Sequence, residues 1–482
     1  MHNTQYTPVI GLEVHAQLLL ASKMFAPEGA AYGALPNTLI SPTSLAHPGT
    51  LPTINKKAID CAIKLGLACH SNITAWNYFA RKNYFYPDLP KGYQITQDKT
   101  PICHGGYMAI PTAEGAEKVI PLQRMHLEED AGKSIHDMDP EDTLLDFNRA
   151  GVALLEIVTS PDIVSGKEAY TFLTELRKIV RYLEICDGNM EEGSLRCDAN
   201  ISVMPTGADV FGTRVEVKNM NSIKNVQLAI EYEIARQIAV LEAGEQVLME
   251  TRMYDAANGV TVSQRAKEGG IDYRYFVEPD LPPVLVTEAW IDAIREDMPL
   301  LPRAYKKKFM EEYQLSDYVA GVLTDSKELA LYFEALCALT ADYTAAANWL
   351  IGPVKGYLNE LNVALKDFPL EPAQLVALID LVNQETISFS TATQKIFPAL
   401  VAAPDRTSLA LVEEQNLLQE KDTDVLQPLI QEVIATYPEK VAAYKNGQQG
   451  ILNMLMGEVM KRSKGKAAPG LVNQMLQAAL QP

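Results

Sequence analysis

Cysteine is scarce in this sequence. The 482 residues include six cysteines, and no two of them form a C-x-x-C pair. Disulfide-stabilised secreted proteins and dithiol redox enzymes depend on closely spaced cysteines. The scattered thiols therefore predict a reduced protein of the cytoplasm. Cys197, which alternates with Asp198 on a predicted strand, is expected to face the core.

Long hydrophobic runs are also absent. No apolar stretch approaches the roughly 18 residues that a membrane-spanning helix needs. Residues 1–5 have neither the basic nor the apolar region of a secretory signal. Both absences predict a cytoplasmic protein that has no membrane partner.

Positive charge is in short supply. There are 42 lysines and arginines against 61 aspartates and glutamates, which gives a net charge of −19. Such a surface repels nucleic acid on average, so RNA binding would require a local basic patch. Histidine is missing from most of the chain, because all seven histidines lie within the first 136 residues. Any chemistry that depends on histidine therefore belongs to the N-terminal part.

Two common phosphate-binding loops are missing. Residues 131–134, AGKS, end like a Walker A loop, but the first glycine of that pattern would fall on Leu127. A G-x-G-x-x-G dinucleotide loop is absent as well, and no nucleophilic triad is visible. If ATP binds, acidic residues on a sheet must hold it in place of a glycine-rich loop.

The distribution of patterns predicts three segments. Residues 1–293 mix alternating runs, such as 9–18 and 214–218, with helical periodicity at 167–183 and 223–241, which indicates an α+β domain with a largely antiparallel sheet. The breaker-rich run 277–283 is expected to close this domain. The remainder reads as helices, and we predict two all-α domains, a helical domain at 294–405 and a tail module at 406–482.

Acidic residues are plentiful, and one run of them closely follows a histidine in the sequence. Residues 126–134 read HLEEDAGKS, which includes Glu128 and Glu129. Neighbouring carboxylates repel one another unless a cation lies among them. Mg²⁺ is the cation most often held by carboxylates together with phosphates. A solvent-exposed acidic loop has the same pattern, so this run predicts a metal site only if other segments supply matching groups.

Two other segments supply such groups. Glu13 and His15 lie on one face of the strand predicted at 9–18, because strand side chains alternate. A half-exposed strand with a polar outer face would have the same pattern. Glu156 is a lone acid within an apolar run. Burying it alone costs several kcal/mol, so a metal ion or an arginine such as Arg149 is the expected partner.

Charged residues of both signs follow on two later strands. Arg196 and Asp198 alternate onto one face of one strand, and Lys218 shares a face with Glu216 on the next. A paired carboxylate, Glu191–Glu192, precedes them. Lysines and arginines among acids are suited to stabilising a transferring phosphoryl group. The pooled segments predict a Mg²⁺–nucleotide site, to which Lys82 and Arg81 add further positive charge.

Six motifs, in order, make the pattern specific. The sequence reads VIGLEVHAQL at 9–18, ARKNYFYPDLPKGYQITQ at 80–97, HLEEDAGKS at 126–134, DFNRAGVALLEIVTSPD at 146–162, MEEGSLRCDANISV at 190–203 and DYRYFVEPDLPP at 272–283. Together they closely resemble the B subunits of the glutamyl-/aspartyl-tRNA amidotransferases. The tail, NMLMGEVMKRSKGKAAPGLVNQML at 453–476, is similar to the tail module of that family.

The resemblance implies a glutamine-synthetase-like cradle and a reaction. ATP phosphorylates the side-chain carboxylate of Glu-tRNA(Gln) or Asp-tRNA(Asn), and ammonia displaces the phosphate to give Gln-tRNA or Asn-tRNA. An amidase-like glutaminase partner makes the ammonia, and a small third protein joins the two in a heterotrimer. Carried over by motif, the catalytic and metal-binding residues are Glu13, His15, Glu128, Glu129 and Glu156. The ATP- and substrate-binding residues are Lys82, Glu191, Glu192, Arg196, Asp198 and Lys218.

One departure from the family concerns zinc. Many members carry C-x-C and C-x-x-C pairs near the N-terminus that bind zinc. Here Ala26, Glu28, Ser41 and Ser44 stand at the matching positions. Since these residues replace the thiols, and a tetrahedral zinc site cannot form without its ligands, we predict that no structural zinc is bound.

The tail carries a basic island. Residues 445–482 contain five cations and one acid, which gives +5 − 1 = +4 within a chain of net charge −19. A solvated helix end would look the same, since single surface cations are common. The alternative is contact with tRNA phosphates, which positions a nucleic acid without reading bases. The predicted tRNA-binding residues are Lys461, Arg462, Lys464 and Lys466.

Two other functions share parts of these features. A stand-alone ATP-dependent carboxylate–amine ligase for a small molecule would need the acidic site but no basic tail. A non-enzymatic tRNA-binding scaffold would need the tail but not Glu13, His15 or Glu156. The sequence does not distinguish Glu-tRNA(Gln) from Asp-tRNA(Asn) as the substrate.

Overall fold

The structure is a computed structural model that describes residues 5–112, 115–136, 138–266, 273–420, 423–463 and 466–480. The chain divides into two compact units, 1–302 and 303–482. The first unit is built around a sheet, and the second is helical. This confirms the predicted order of an α+β part followed by helices.

The strands lie in the first unit. They are β1 (Tyr6–Gln17), β2 (Asn72–Ile73), β3 (Trp76–Asn77), β4 (Ala80–Asn83), β5 (Tyr93–Thr96), β6 (Cys103–His104), β7 (Tyr107–Pro111), β8 (Glu117–Glu129), β9 (Lys133–Ile135), β10 (Leu144–Asp146), β11 (Ala153–Thr159), β12 (Leu195–Pro205), β13 (Val215–Lys218), β14 (Glu250–Asp255), β15 (Val260–Ala266), β16 (Phe276–Val277) and β17 (Val284–Leu285).

The main sheet has the order β15-β14-β13-β12-β1-β11-β8-β5-β4-β16. Neighbours along it run antiparallel, except that β13 and β14 are parallel. β1 lies between β11 and β12 near the middle of this order, so residues from three chain segments meet around it. β9 pairs with β10, and β3 pairs with β17, outside the main sheet.

Helices of the first unit cover one face of the main sheet. They are α1 (Lys56–Ala68), α2 (Gly166–Tyr182), α3 (Ile223–Glu242) and α4 (Glu288–Glu296). α2 and α3 begin where the periodicity predicts, because Ser165 and Ser222 cap their first turns by accepting N–H bonds from Glu168 and Asn225. Their apolar sides join the even-numbered residues of β1 in one core that includes Leu12, Val14, Phe172 and Ile230.

The end of the first unit lies a little beyond the predicted boundary. Ile291 and Ile294 of α4 are buried in the core of the sheet unit, so this helix belongs to it as a whole. The breaker-rich run 277–283 leads into β17 and does not end the unit. The separation of a tail module from 406 onward stays a prediction.

The second unit is built from short helices. They are α5 (Pro302–Glu311), α6 (Asp317–Leu323), α7 (Lys327–Cys337), α8 (Tyr343–Trp349), α9 (Lys355–Leu361), α10 (Pro372–Asn383), α11 (Phe389–Thr391), α12 (Phe397–Ala402), α13 (Ser408–Glu414), α14 (Thr423–Thr436), α15 (Pro438–Lys445), α16 (Ile451–Arg462) and α17 (Pro469–Leu480). Leu426, Leu455 and Leu476 hold α14, α16 and α17 together in a separate apolar cluster. Among the described residues, no helix is both long enough and apolar enough to cross a membrane.

Candidate active site

The face of the sheet opposite the helices is polar because buried and half-buried residues alternate along β1 from Ile10 to Gln17. Leu12 and Val14 are fully buried beneath the helices, while Glu13 and His15 are half-buried on the other face. His15 is the register partner of Glu156 on β11 and of Arg196 on β12. Glu13 is the partner of Asp198. Residues that are far apart in the sequence therefore lie side by side across neighbouring strands. They form two adjacent rows, one through Glu13 and one through His15, as the alternation of β1 predicts.

The row of His15 and Glu156 contributes to cluster one, which consists of His15, Glu128 and Glu156. His15 Nε2 lies 3.2 Å from Glu156 Oε2 and 4.0 Å from Glu128 Oε1. One ligand atom from each residue lies within 4.8 Å of the others, a spacing that suits a shared metal ion. Thr96 Oγ1 donates to Glu128 Oε2 at 3.1 Å, which fixes the orientation of that carboxylate.

The charges of cluster one support one another. Burial alone would raise the pKa of Glu156, but the hydrogen bond from His15 and the charges of His126, His15 and Lys82 outweigh burial, so its pKa lies far below the ordinary range. Burial would lower the pKa of His15, but Glu156, Glu128 and Asp198 raise it overall. The carboxylates thus favour the charged form of His15, and a bound metal ion would supply the same compensating positive charge.

A second group of acids, cluster two, consists of Glu13, Asp198 and Glu216. The Lys218 ammonium binds Asp198 and lies 3.1 Å from Glu216 Oε1. Asn200 Nδ2 donates to Glu13 Oε1 at 2.8 Å. Burial would lower the pKa of Lys218, but Asp198 and Glu216 raise it well above its usual value. The cluster thus already attracts a cation, and its all-oxygen ligands are those that Mg²⁺ prefers.

Two further predicted residues flank the clusters. Lys82 on β4 is close enough to lower the pKa of Glu156, and its Nζ lies 4.9 Å from the Tyr273 ring centre. Arg196 Nη2 donates to Asp130 Oδ2 at 2.8 Å. The pKa of Asp130 is lowered, because the charges of Arg196 and Arg149 outweigh its burial. Positive groups therefore border cluster one on both sides.

The structure does not bring Glu129 into the metal clusters, which corrects its predicted place in the metal shell. Glu129 is the last residue of β8 and follows Glu128, so it points to the opposite face of the sheet. There it binds the Lys91 ammonium, and Ile95 N donates to its Oε1 at 2.8 Å. Of the two neighbouring carboxylates, Glu128 is the one that faces Glu156.

Glu191 and Glu192 also lie apart from both clusters. They are exposed in the turn before β12, where their backbone N–H groups donate to Asn189 Oδ1 at 3.0 and 3.3 Å. Their side chains face solvent in this structure, because the paired residues belong to a turn and not to the alternating strand. Their role in ATP or substrate binding stays a prediction.

Sequence analysis missed two residues at the site. His126 Nε2 lies 3.4 Å from Glu156 Oε2 and 3.6 Å from Glu128 Oε2. His126 and Glu128 are two residues apart, so they would share one face of a strand, and this spacing is the sign of His126 in the sequence. The run 126–134 also fits an exposed loop, in which such a spacing does not bring side chains to one face. Glu216 shares a predicted face with Lys218, yet only the lysine has a predicted role. The register of β13 against β12 brings Glu216 next to Asn200.

The positions that match the family's zinc ligands hold a buried ion pair. Lys23 Nζ lies 3.4 Å from Glu28 Oε1 and donates to Leu39 O at 2.8 Å. Burial would raise the pKa of Glu28, but the Ser44 and Ser41 hydroxyls and Lys23 lower it overall. The Lys23–Glu28 ion pair and the hydrogen bond to Leu39 therefore connect the chain segments at these positions. The absence of zinc remains a prediction.

The basic tail residues are arranged unequally at the end of α16. Lys461 is exposed, whereas Arg462 Nη1 lies 2.6 Å from Glu432 Oε1 of α14. Lys466 is half-buried after the helix, and Lys464 lies outside the described residues. Among the described cations of this group, Lys461 is therefore the one most open to a ligand.

Clustered carboxylates with a histidine, bordered by basic side chains on one sheet face, are chemically suited to hold divalent cations near phosphates. Comparison with known proteins gives the family. Residues 8–292 match the model of the GatB/GatE catalytic domain, and residues 331–480 match that of the GatB domain. The chain therefore belongs to the GatB family.

Curated relatives match along almost the whole chain. The B subunit of the aspartyl/glutamyl-tRNA(Asn/Gln) amidotransferase of Thermodesulfovibrio yellowstonii is 47% identical, and the alignment covers 98% of both chains. The protein of the same name from Nitrosococcus oceani is 48% identical over 99% of this chain and 100% of its own. That of Salinibacter ruber is 46% identical over 99% and 97%.

Proposed function

We propose that the chain is the B subunit of a tRNA-dependent amidotransferase. It phosphorylates the side-chain carboxylate of Glu-tRNA(Gln), Asp-tRNA(Asn) or both with ATP, and the acyl phosphate then reacts with ammonia. The observation that carries the proposal is the pair of adjacent acidic clusters around β1. The names of the full-length relatives support this function and give no support to a small-molecule ligase.

The reaction needs both steps because a carboxylate is a poor electrophile. A side-chain carboxylate oxygen attacks the γ-phosphorus of ATP, and ADP leaves with the electron pair of the broken P–O bond. Ammonia then attacks the acyl carbon and loses a proton, and inorganic phosphate departs as the amide forms. The products are Gln-tRNA(Gln) or Asn-tRNA(Asn), which translation requires.

The residues present suit Mg²⁺ as the cofactor of the first step. Cluster one would hold one ion through His15, Glu128 and Glu156, and cluster two would hold another through Glu13, Asp198 and Glu216. Bound Mg²⁺ neutralises the charge of the phosphates and stabilises the transferring group. Lys82 on β4 and Lys218 on β13 add fixed positive charge on opposite sides of the two clusters. The carboxylates of both clusters suit Mn²⁺ as well as Mg²⁺, which makes Mn²⁺ a useful spectroscopic substitute.

We infer that the ammonia is produced by a different protein of the complex. All six cysteines are buried, and burial raises the pKa of Cys61 to about 11 and of Cys69 to about 12. A buried thiol whose pKa is raised is a poor nucleophile. This supports an amidase-like partner as the glutaminase, with a small third protein completing a heterotrimer in the cytoplasm.

ATP hydrolysis by the assembled complex tests the proposal. We expect misacylated Glu-tRNA(Gln) or Asp-tRNA(Asn) to stimulate hydrolysis, while uncharged tRNA and free glutamate or aspartate do not. Stimulation by a free amino acid would instead identify a small-molecule ligase. If no substrate stimulates hydrolysis in the presence of the glutaminase and the small third protein, the chain is a tRNA-binding scaffold.

The basic tail gives a separate prediction about tRNA affinity. Replacing Lys461, Arg462, Lys464 and Lys466 with alanine should weaken tRNA binding and flatten its salt dependence. Each cation that contacts a phosphate contributes roughly one unit of slope in a plot of log affinity against log salt. Filter binding or fluorescence anisotropy between 50 and 300 mM salt, about the range in which this effect is steep, measures the slope.

A matched control uses cations elsewhere in the helical unit. Lys366 and Lys395 are exposed, and their replacement with alanine removes positive charge without touching the tail. The control should keep the wild-type slope. A tail variant with unchanged affinity and slope would show that these residues do not contact tRNA.

A further inference from the structure

A third polar group lies next to cluster one on the same face of the sheet. Its members, called the Asp130 group below, are Gln17, Asp130, Arg149 and Arg196. Gln17 follows His15 at a step of two residues on β1, so it lies about 7 Å farther along the polar face. Arg196 is the register partner of His15 on β12. The group therefore adjoins cluster one on the side away from Glu13.

Asp130 is the centre of this group. It is buried, and its Oδ2 accepts hydrogen bonds from Gln17 Nε2 and Arg196 Nη2, both at 2.8 Å. Its Oδ1 accepts the N–H of Ala131 at 3.0 Å, and its own N–H donates to Val152 O at 2.8 Å. The backbone thus fixes the carboxylate, and the carboxylate in turn fixes two side chains on the polar face.

The two arginines of the group differ in how far they are satisfied. Arg149 Nε donates to Ala131 O at 3.0 Å and Nη2 to Gly132 O at 2.6 Å, so this arginine holds the turn after β8. Arg196 is 31% exposed, and among the described residues its hydrogen bond is the one from Nη2 to Asp130. A guanidinium carries several N–H donors in a planar fork. Most of the donors of Arg196 therefore remain available to a ligand.

The other cations near the two clusters are less suited to bind a carboxylate. Lys218, Lys91 and Arg81 each lie in an ion pair with an acidic side chain. Lys82 offers a compact point charge, whereas a guanidinium matches the two oxygens of a carboxylate with two parallel hydrogen bonds. Of these cations, Arg196 is the one whose shape and free donors fit a carboxylate.

The charge of the Asp130 group also favours an anion. A substrate carboxylate that approaches cluster one meets Glu128 and Glu156, and like charges repel strongly where water is excluded. Two arginines and one carboxylate leave the Asp130 group with a net positive charge. The group therefore provides a place beside the proposed metal site where a second carboxylate is held and not repelled.

We propose that Arg196, positioned by Asp130, binds the side-chain carboxylate of the aminoacyl group before ATP phosphorylates it. The proposal rests on the proposed function, which supplies this carboxylate, and goes further by assigning its receptor. Each carboxylate oxygen keeps a lone pair beyond its N–H bond, so the bound carboxylate still attacks the γ-phosphorus while ADP leaves with the electron pair of the broken P–O bond. The amide product has no charge, so it binds Arg196 more weakly and departs.

Arg196→Gln tests the receptor in the assembled complex without ATP. Glu-tRNA(Gln) and Gln-tRNA(Gln) differ only in the carboxylate, and hydrogen bonds to a charged group contribute a factor of about 10–100 in affinity. We expect the wild type to prefer Glu-tRNA(Gln) at least about tenfold, and the variant to bind both equally. Affinities for uncharged tRNA and for ATP should stay at the wild-type value. Filter binding and calorimetry measure these constants; a complex specific for tRNA(Asn) is tested with the Asp and Asn forms.

Asp130→Asn tests the positioning role. Asparagine has the same size but lacks the charge that fixes Arg196, so the KM for misacylated tRNA should rise and turnover should fall about 10–100-fold, as is common for a misplaced group. The KM for ATP and the affinity for uncharged tRNA should not change, although a general loss of structure would alter both. Arg181→Gln is the matched control, because Arg181 is exposed on α2. It should behave as the wild type does.

The remaining outcomes contradict different statements. A wild-type preference for Glu-tRNA(Gln) in a folded Arg196→Gln variant would overturn the receptor, and so would equal affinities in the wild type. Weaker ATP binding with an intact preference would show that Arg196 binds a phosphate instead. Wild-type kinetics in Asp130→Asn, or an equal loss for every ligand, would remove Asp130 as a positioning residue. A wild-type complex that turns over no misacylated tRNA would overturn the proposed function itself.

Discussion

Glu156→Gln should abolish acyl-phosphate formation in the assembled complex while misacylated tRNA still binds. The substitution keeps the size of the side chain but removes a carboxylate that lies 3.2 Å from His15 and 3.4 Å from His126. Removing one preorganised electrostatic group commonly costs about 10²–10³ in rate, and this residue is proposed to bind a metal ion directly. We therefore expect a loss of about 10³-fold or more in tRNA-dependent ATP hydrolysis.

The same variant should alter two properties of the free chain. Changes behind metal ligands reduce affinity about 10–100-fold, so loss of a direct ligand should weaken Mn²⁺ binding at cluster one by at least about 100-fold. The pKa of His15 should fall, because Glu156 makes the largest contribution that raises it against burial. Electron paramagnetic resonance measures the first property, and NMR titration measures the second.

Glu129→Gln and Glu245→Gln are the matched controls. Glu129 points away from cluster one, and Glu245 is exposed after α3. Both variants should retain wild-type Mn²⁺ affinity. If Glu129→Gln loses Mn²⁺ binding as completely as Glu156→Gln, the assignment of faces on β8 is wrong. Wild-type turnover in Glu156→Gln would remove this residue from the proposed site.

Lys23→Met should strongly destabilise the first unit. Lys23 has no exposed surface, and it lies 3.4 Å from Glu28 Oε1. Methionine occupies a similar volume but leaves the Glu28 carboxylate without its cation. Removing one partner of a buried ion pair typically costs about 3–5 kcal/mol, so we expect the free energy of unfolding to fall by that amount. Urea denaturation of the full chain measures this change.

A double variant separates pairing from packing. Lys23→Met combined with Glu28→Gln removes both charges, and replacing a buried pair is often nearly neutral. The double variant should therefore recover most of the lost stability. Lys99→Met, at a lysine whose side chain is 82% exposed, should change stability by less than about 0.5 kcal/mol. A double variant as unstable as Lys23→Met would show that methionine does not fit the site.

The parts of the site that follow from local alternation were predictable. The apolar and polar residues of β1 alternate so regularly that Glu13 and His15 could be assigned to one face without a structure. Glu156 was predictable for a different reason, since a single acid in a buried run requires a partner. The helices α2 and α3 were equally accessible, because periodicity and serine caps give the same start.

The features that depend on strand register or on contacts between distant residues were not predictable from the sequence. Glu128 and Glu129 look equivalent in the sequence, and only the extension of β8 to residue 129 separates their faces. Glu216 joins cluster two because β13 pairs with β12, which no local pattern specifies. The link between Lys23 and Glu28 was hidden because neither residue belongs to a periodic element. The family resemblance indicated missing zinc ligands but not what replaces them.

The central position of β1 also has a consequence for protein synthesis. This strand leaves the ribosome long before its two neighbours, which begin at Ala153 and Leu195. At about 5–20 residues per second, β12 begins to emerge roughly ten to forty seconds after β1. Until β11 emerges, the nascent strand has two unpaired edges and an apolar face, and the edge that pairs with β12 stays unpaired for the whole interval. The segment that carries Glu13 and His15 is therefore also one that a chaperone would protect during translation.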